Sequence, residues 1–234
     1  MKVAVVNRPG TVGKTTLAAH LLAPRMPGAT IIAVEDVNQT VASLGLEADR
    51  IEGDAFREIF RKLMLLDDAI VDVGTSNIRL FLQGMVKFED SHLEFDYFVV
   101  PLTSGTKEQS ETITMISTLA DFGIPAHKIR LIFNRVNKDV EAEFCYVFQY
   151  VSNEKNATAN PLSAIYENEL FSALGAKKLT IEALLADETD YKGLLKNKEA
   201  SERERNYWGD MFGLRALAKS VQRNLDSVFI ETFV

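Results

Sequence analysis

Near the start of the chain, the apolar run Val3-Ala4-Val5-Val6 leads into a loop carrying Pro9, Gly10 and Gly13, and then into Lys14-Thr15-Thr16-Leu17-Ala18. An uninterrupted β-branched run reads as a strand covered on both faces, which is the habit of a parallel sheet. Strand, glycine loop, Lys-Thr and helix in that order form the setting of a phosphate-binding loop. Glycines let backbone N–H groups turn inward around phosphate oxygens, and the helix N-terminus adds partial positive charge. In such a loop Lys14 reaches the β- and γ-phosphates, and the Thr15 hydroxyl completes a Mg²⁺ shell. Arg8, Gly10, Thr11, Val12, Gly13, Lys14, Thr15 and Thr16 are therefore the candidate phosphate-binding residues. The full pattern places glycine six residues before the lysine, and Arg8 stands there instead.

The remaining pattern supports an α/β fold: a three-layer P-loop NTPase architecture with a mostly parallel twisted sheet and helices on both faces. Strands are expected at residues 30–35, 68–72, 97–102 and 129–133. Helices are expected at about 54–65, 107–122 and 140–151, followed by a polar loop at SNEKNATAN. From residue 162 the pattern turns mainly helical. The last helix, about 205–229, sets Met211, Leu214, Ala218, Val221, Leu225 and Val228 on one stripe, and packing against the sheet is expected of it. A chain of 234 residues buries a full core as one domain, here with a helical C-terminal segment from about residue 186.

In open parallel sheets ligands bind beyond the carboxyl ends of the strands, and the polar residues gather there. Asp72 closes the run AIV and precedes Val73-Gly74-Thr75, a Walker B arrangement whose carboxylate holds Mg²⁺ directly or through water. Gly74 lets the backbone approach the γ-phosphate, making residues 74–77 a candidate sensor. Glu35 and Asp36 end the second strand, where a carboxylate orients the attacking water or fixes the metal's water shell; the alternative is a solvated strand-end acid. Asn38 and Gln39 are further candidates for positioning that water. Asn134, with Arg135 beside it, ends the strand IRLIF, and its amide can pair with adenine N6 and N7. Asn137 stands where a guanine-reading loop needs a carboxylate with two acceptors, which favours ATP over GTP.

Composition excludes several classes. The net charge of −7 opposes a protein that coats nucleic acid. Residues 192–223 nevertheless carry eight basic side chains against four acidic ones, enough for a weak direct contact with phosphates, although a solvated helix face is the simpler account. Membrane contact by the last helix is the lesser expectation beside its packing on the sheet. Cys145 is the only cysteine, so an internal disulfide or cysteine zinc cluster is excluded; it is expected as core filler in a cytoplasmic protein. His20, His92 and His127 lack metal-ligand spacing. No apolar run is long enough for a transmembrane helix, and the immediate first strand leaves no room for a signal peptide.

Taken together, these residues resemble the ParA/MinD group of deviant Walker A ATPases, of the SIMIBI class, and within it the StbB-like plasmid stability and conjugation proteins. The resemblance rests on Gly10, Gly13, Lys14, Thr15 and Thr16 in the loop, Glu35 after the second strand, Asp72 and Asn134, with matching element order to about Leu185. It implies an ATP- and Mg²⁺-dependent switch that forms a face-to-face homodimer on ATP binding and hydrolyses slowly, often with a partner's stimulation. It also implies a plasmid-encoded DNA-binding or conjugation partner. Two departures stand out: the family's cross-dimer lysine falls at Pro9, with Arg8 adjacent as a substitute, and its second acid after strand two falls at Val37. A nucleotide-binding adaptor without turnover is the alternative, and a metabolic ligase or kinase of the same superfamily ranks last.

Overall fold

The computed structural model describes residues 1–35 and 46–234. Among them seven strands form one parallel sheet: β1 (Lys2–Val5), β2 (Thr30–Val34), β3 (Asp49–Ile51), β4 (Ala69–Val73), β5 (Tyr97–Leu102), β6 (Ile129–Val136) and β7 (Ala164–Tyr166). Their order across the sheet is β3-β2-β4-β1-β5-β6-β7. β1 is central, with Val3 opposite Ile70 on one side and Tyr97 on the other. The expected α/β architecture is the one observed.

Burial on both faces explains the apolar runs. Ala4, Val6, Val71, Phe98, Val100, Leu131 and Phe133 turn to one face, against α2 (Phe56–Leu65), α3 (Ile78–Lys87), α4 (Thr106–Asp121) and α6 (Cys145–Glu154). Val3, Val5, Ile70, Val99 and Ile132 turn to the other. That second face meets α1 (Lys14–Leu17), its π-helical continuation Ala18–Leu22, α7 (Leu170–Lys177), α8 (Ile181–Ala186), α9 (Tyr191–Leu194) and α10 (Glu202–Phe233). The period-2 alternation thus feeds two cores rather than one core and a solvated face. α10 buries the anticipated stripe from Met211 to Val228, and a capping box at Ser201 and Glu204 fixes its start.

Several local expectations shift. β3 and β7 are three residues each, too short to show a period, and β7 falls where the pattern looked helical. The expected strand at 129–133 runs on to Val136 through a bulge between Asn134 and Val136. The expected helix at 140–151 is two helices, α5 (Val140–Glu143) and α6, broken at Phe144. Ser152, Asn153 and Glu154 of the expected loop belong to α6, which Lys155 ends in a left-handed conformation. Phe144 and Val147 face the core, which turns Cys145 to the surface and corrects its expected role as core filler.

Candidate phosphate-binding site

β1 delivers the chain to Asn7, whose fully buried amide is satisfied at every turn. Its Nδ2 donates to the Pro101 carbonyl and to Thr112 Oγ1 (both 2.8 Å), and its Oδ1 accepts from the Arg8 amide at 2.7 Å. Asn7 thereby ties the start of the loop to β5 and α4, a positioning role that one polar residue after a strand does not announce in sequence.

Gly13 caps α1 in a left-handed conformation, φ 91°, and offers no side-chain oxygen to the free N–H groups of the first turn. A Cβ at this position would collide with Asn134 Nδ2, so the backbone angle and the close approach both require glycine. Gly10 differs: a Cβ there would meet only Thr75 Oγ1 at 3.7 Å. Thr11 is exposed, Val12 is buried, and Thr15 and Thr16 are half-buried on the first turn of α1.

Lys14 is 5 % exposed, and its ammonium donates to the carbonyls of Asn7 (3.1 Å) and Pro9 (2.9 Å) and to Thr75 Oγ1 (2.8 Å). Burial lowers its pKa to about 8, against the upward pull of Asp72 and Glu35. Asp72, fully buried on β4, has its pKa raised to about 6 by burial, with Thr15 and Lys14 pulling it back. Among the described residues both Asp72 oxygens lack a hydrogen bond of ordinary geometry. Glu35 lies just past β2 with its pKa raised to about 7, first by burial and then by Asp72, against Arg50 and Lys14. Its Oε2 is likewise buried without a partner among the described residues. Gly74 makes room for it: a Cβ there would sit 2.8 Å from Glu35 Cγ and 3.1 Å from the Val34 carbonyl oxygen.

Lys14, Glu35, Asp72, Gly74 and Thr75 thus converge at the carboxyl ends of β1, β2 and β4. Asp36, with Val37, Asn38 and Gln39, lies outside the described residues. Asn77 is buried and accepts from the Gly53 amide at 3.1 Å, which anchors the turn after Gly74. A buried carboxylate with unpartnered oxygens beside a threonine hydroxyl is a donor set suited to Mg²⁺ once phosphate oxygens join it.

Asn134 and Arg135 lie on the other flank. Asn134 Nδ2 donates to the Val12 carbonyl at 2.8 Å and Oδ1 accepts from the Arg135 amide at 3.0 Å, so the amide braces the loop. Arg135 has φ 56°, and the bulge turns it into a cleft of about 670 Å³ that begins at Gly13 and Thr16 and is walled by Tyr166, Glu167 and Phe171. That wall follows β7 and was missed with it. Arg8 points its side chain elsewhere: among the described residues the one hydrogen bond of its guanidinium is a long 3.5 Å contact to Thr118 Oγ1 on α4.

Among the described residues no helix is long and apolar enough to cross a membrane, and no group of three or more His, Cys, Asp or Glu could hold a metal. In the basic segment Arg215 is engaged with Asp187 and stacks on Tyr191.

No protein-family model matches the chain, and no curated protein matches it in sequence. Solved structures match it in shape. The MinD cell division protein of Aquifex aeolicus gives a TM-score of 0.52 at 14% identity, covering 91% of this chain and 96% of that one. The MinC:MinD complex from the same organism gives 0.52 at 13%, covering 91% and 96%. An ATP complex of Cyanothece McdA gives 0.50 at 13%, again covering 91% and 96%. The chain is therefore similar in fold, over nearly its whole length, to MinD and McdA.

Proposed function

We propose that the chain is a Mg-ATP-binding switch of the ParA/MinD type that hydrolyses ATP slowly and acts in plasmid stability, partition or conjugative transfer. The observation that carries this reading is the pairing of a buried lysine with a buried, unpartnered carboxylate beneath the free N–H groups of a helix start. A structural ion pair would close on itself; here the Lys14 ammonium rests on neutral oxygens of Asn7, Pro9 and Thr75, and among the described residues Asp72 has no salt bridge, with both at the carboxyl ends of the adjacent inner strands β1 and β4. The solved structures supporting it include an ATP complex of McdA and a complex of MinD with MinC.

In this reading the loop amides and Lys14 hold the phosphates, Thr15 and Asp72 hold Mg²⁺, and the nucleoside lies in the cleft lined by Arg135 and Tyr166. Mg²⁺, when bound, neutralises charge on the phosphate oxygens. Asn134 acts by bracing the loop beside the base. Glu35, with a pKa near neutrality, orients and accepts a proton from the attacking water, a role shared with Asp36. ATP binding drives homodimerisation, and a plasmid-encoded DNA-binding or conjugation partner receives the signal.

The test is calorimetric titration with ATP and GTP, each with and without Mg²⁺, beside phosphate release for the wild type, Lys14→Ala and Asp72→Ala. Tight Mg-ATP binding lost in Lys14→Ala, with weaker GTP binding, is expected. Absence of lysine-dependent binding overturns the reading. Binding without turnover, even with DNA and partner present, gives the adaptor instead, which the position of Arg8 against α4 favours.

A further inference from the structure

An ammonium group carries three N–H donors, and in Lys14 all three are engaged: by the carbonyls of Asn7 and Pro9 and by Thr75 Oγ1. None of these acceptors is charged. Asp72 lies near enough for its charge to support the ammonium, yet among the described residues it makes no ion pair with it. The three acceptors differ in how firmly they are held. Asn7 is fully buried, and its side chain is clamped by hydrogen bonds of 2.7–2.8 Å to Pro101, Thr112 and the Arg8 amide, which fixes the residue whose carbonyl meets Lys14. Pro9 sits inside the loop with φ set by its ring. Thr75 instead begins the short 3-10 turn Thr75–Asn77 after β4, is exposed on its outer side, and presents its hydroxyl by rotation about one χ1. Its own O–H reaches only the Pro9 carbonyl, at a long 3.4 Å. Of the three bonds to Lys14, the one from Thr75 is the easiest to give up.

We propose that the Thr75 hydroxyl occupies the place at the Lys14 ammonium that phosphate oxygens take, making Thr75 a positioning residue that holds Lys14 closed in the empty protein and limits how strongly polyphosphates bind. The proposal rests on the reading of the loop as a phosphate site. Binding is then an exchange: a neutral hydroxyl leaves one N–H of Lys14, a charged oxygen replaces it, and the ammonium keeps its proton throughout. A ligand whose phosphate stays on the loop amides and does not reach Lys14 leaves the Thr75 bond intact. Thr75 thereby separates ligands by the number of their phosphates. Asn77 remains tied to the Gly53 amide at 3.1 Å, so the release is confined to Thr75 and Ser76.

The experiment compares the full-length wild type with Thr75→Val, which keeps the shape and removes the hydroxyl, and Thr75→Ser, which keeps the hydroxyl. Each is titrated calorimetrically with pyrophosphate, ATP and AMP in the presence of Mg²⁺, and melted without ligand. Thr75→Val should melt about 3 °C below the wild type, because Lys14 loses an acceptor, yet bind pyrophosphate and ATP at least about threefold tighter. AMP affinity should not change, and Thr75→Ser should match the wild type throughout. Opposite signs in stability and affinity are the mark of the exchange, since a merely structural contact lowers both or leaves affinity alone. In a Lys14→Met background, Thr75→Val should no longer change the melting temperature. Thr75→Ala should shift binding in the same direction as Thr75→Val, which keeps the test open if the valine chain folds poorly. Unchanged or weaker pyrophosphate binding in both variants, an equal gain with AMP, or failure of Thr75→Ser to restore wild-type values overturns the role of Thr75 and leaves the phosphate site standing. If neither pyrophosphate nor ATP binds to any of these chains, the phosphate-site reading itself fails and the exchange falls with it.

Discussion

Replacing Asp72 by asparagine should stabilise the nucleotide-free protein. Folding moves this carboxyl from an ordinary value of 3.8 to about 6, and burial is the main cause. At 1.36 kcal/mol per unit, keeping the carboxylate charged above pH 6 costs about 3 kcal/mol. Part of this returns in the variant. An unpartnered buried amide has its own desolvation cost, and Lys14 loses the carboxylate that supports its charge. A net gain of about 1–2 kcal/mol remains, or roughly 5 °C in Tm for a chain of this length. The sign follows from the raised pKa: the penalty is full above pH 6, fades as the pH falls, and is gone below about 4. Melting wild type and Asp72→Asn by calorimetry at pH 7.5 and pH 4.5 without nucleotide should give a variant that is more stable at the higher pH and level at the lower. Adding Mg-ATP should raise Tm for the wild type only, since a ligand stabilises a fold in proportion to its affinity. A variant less stable than wild type at pH 7.5, or an identical gap at both values, would refute the account of Asp72 as an unsatisfied functional carboxylate.

Other expectations follow from named contacts. His20 is buried beside Phe171 with Nδ1 unpartnered, and burial lowers its pKa to about 4, so protonation of the unfolded chain drains stability as the pH falls from 6.5 toward 4. His20→Leu should flatten this part of the acid limb, seen in urea midpoints across that range, while an unchanged acid limb would contradict the burial argument. Leu225, 1% exposed in the α10 stripe, should cost about 2–5 kcal/mol when truncated to alanine; a loss below 1 kcal/mol by denaturant titration would mean that α10 is not part of the core. Gly13→Ala forces a Cβ into both a left-handed backbone and the Asn134 amide. It should abolish nucleotide-induced stabilisation while far-ultraviolet circular dichroism stays near wild type, and a variant that still responds to Mg-ATP would contradict the fit.

What could be read from sequence followed the strength of local signals. β1, β4, β5 and β6 are apolar runs with helical patterns between them, and the two-sided core makes that inference nearly one-to-one. β3 and β7 hold too few residues to carry a period, and with β7 went the Tyr166–Phe171 wall of the cleft. Lys14, Asp72 and Gly74 could be expected to meet because each follows an apolar run, and a parallel sheet gathers the residues at the carboxyl ends of such strands. Asn7 was not, because its partners Pro101 and Thr112 are remote in sequence and only the fold brings them together. Asn134 was found at the site with a different contact from the one its amide suggested: it braces the Val12 carbonyl. Arg8 shows the limit of spacing arguments, since a flexible side chain one bond from the loop can turn toward α4 as easily as toward phosphate.

The central position of β1 bears on when the loop takes its shape. The strand is translated before both of its neighbours, and β4 and β5 leave the ribosome only after long intervening segments. Until they arrive β1 has no backbone partner on either side, and Lys14 lacks the Thr75 oxygen that helps to hold it. Closing such distant contacts is slow, and the nascent N-terminal segment carries exposed apolar strand edges meanwhile. A nucleotide bound as proposed therefore cannot guide the early steps of folding; it can only trap the sheet once its middle is complete.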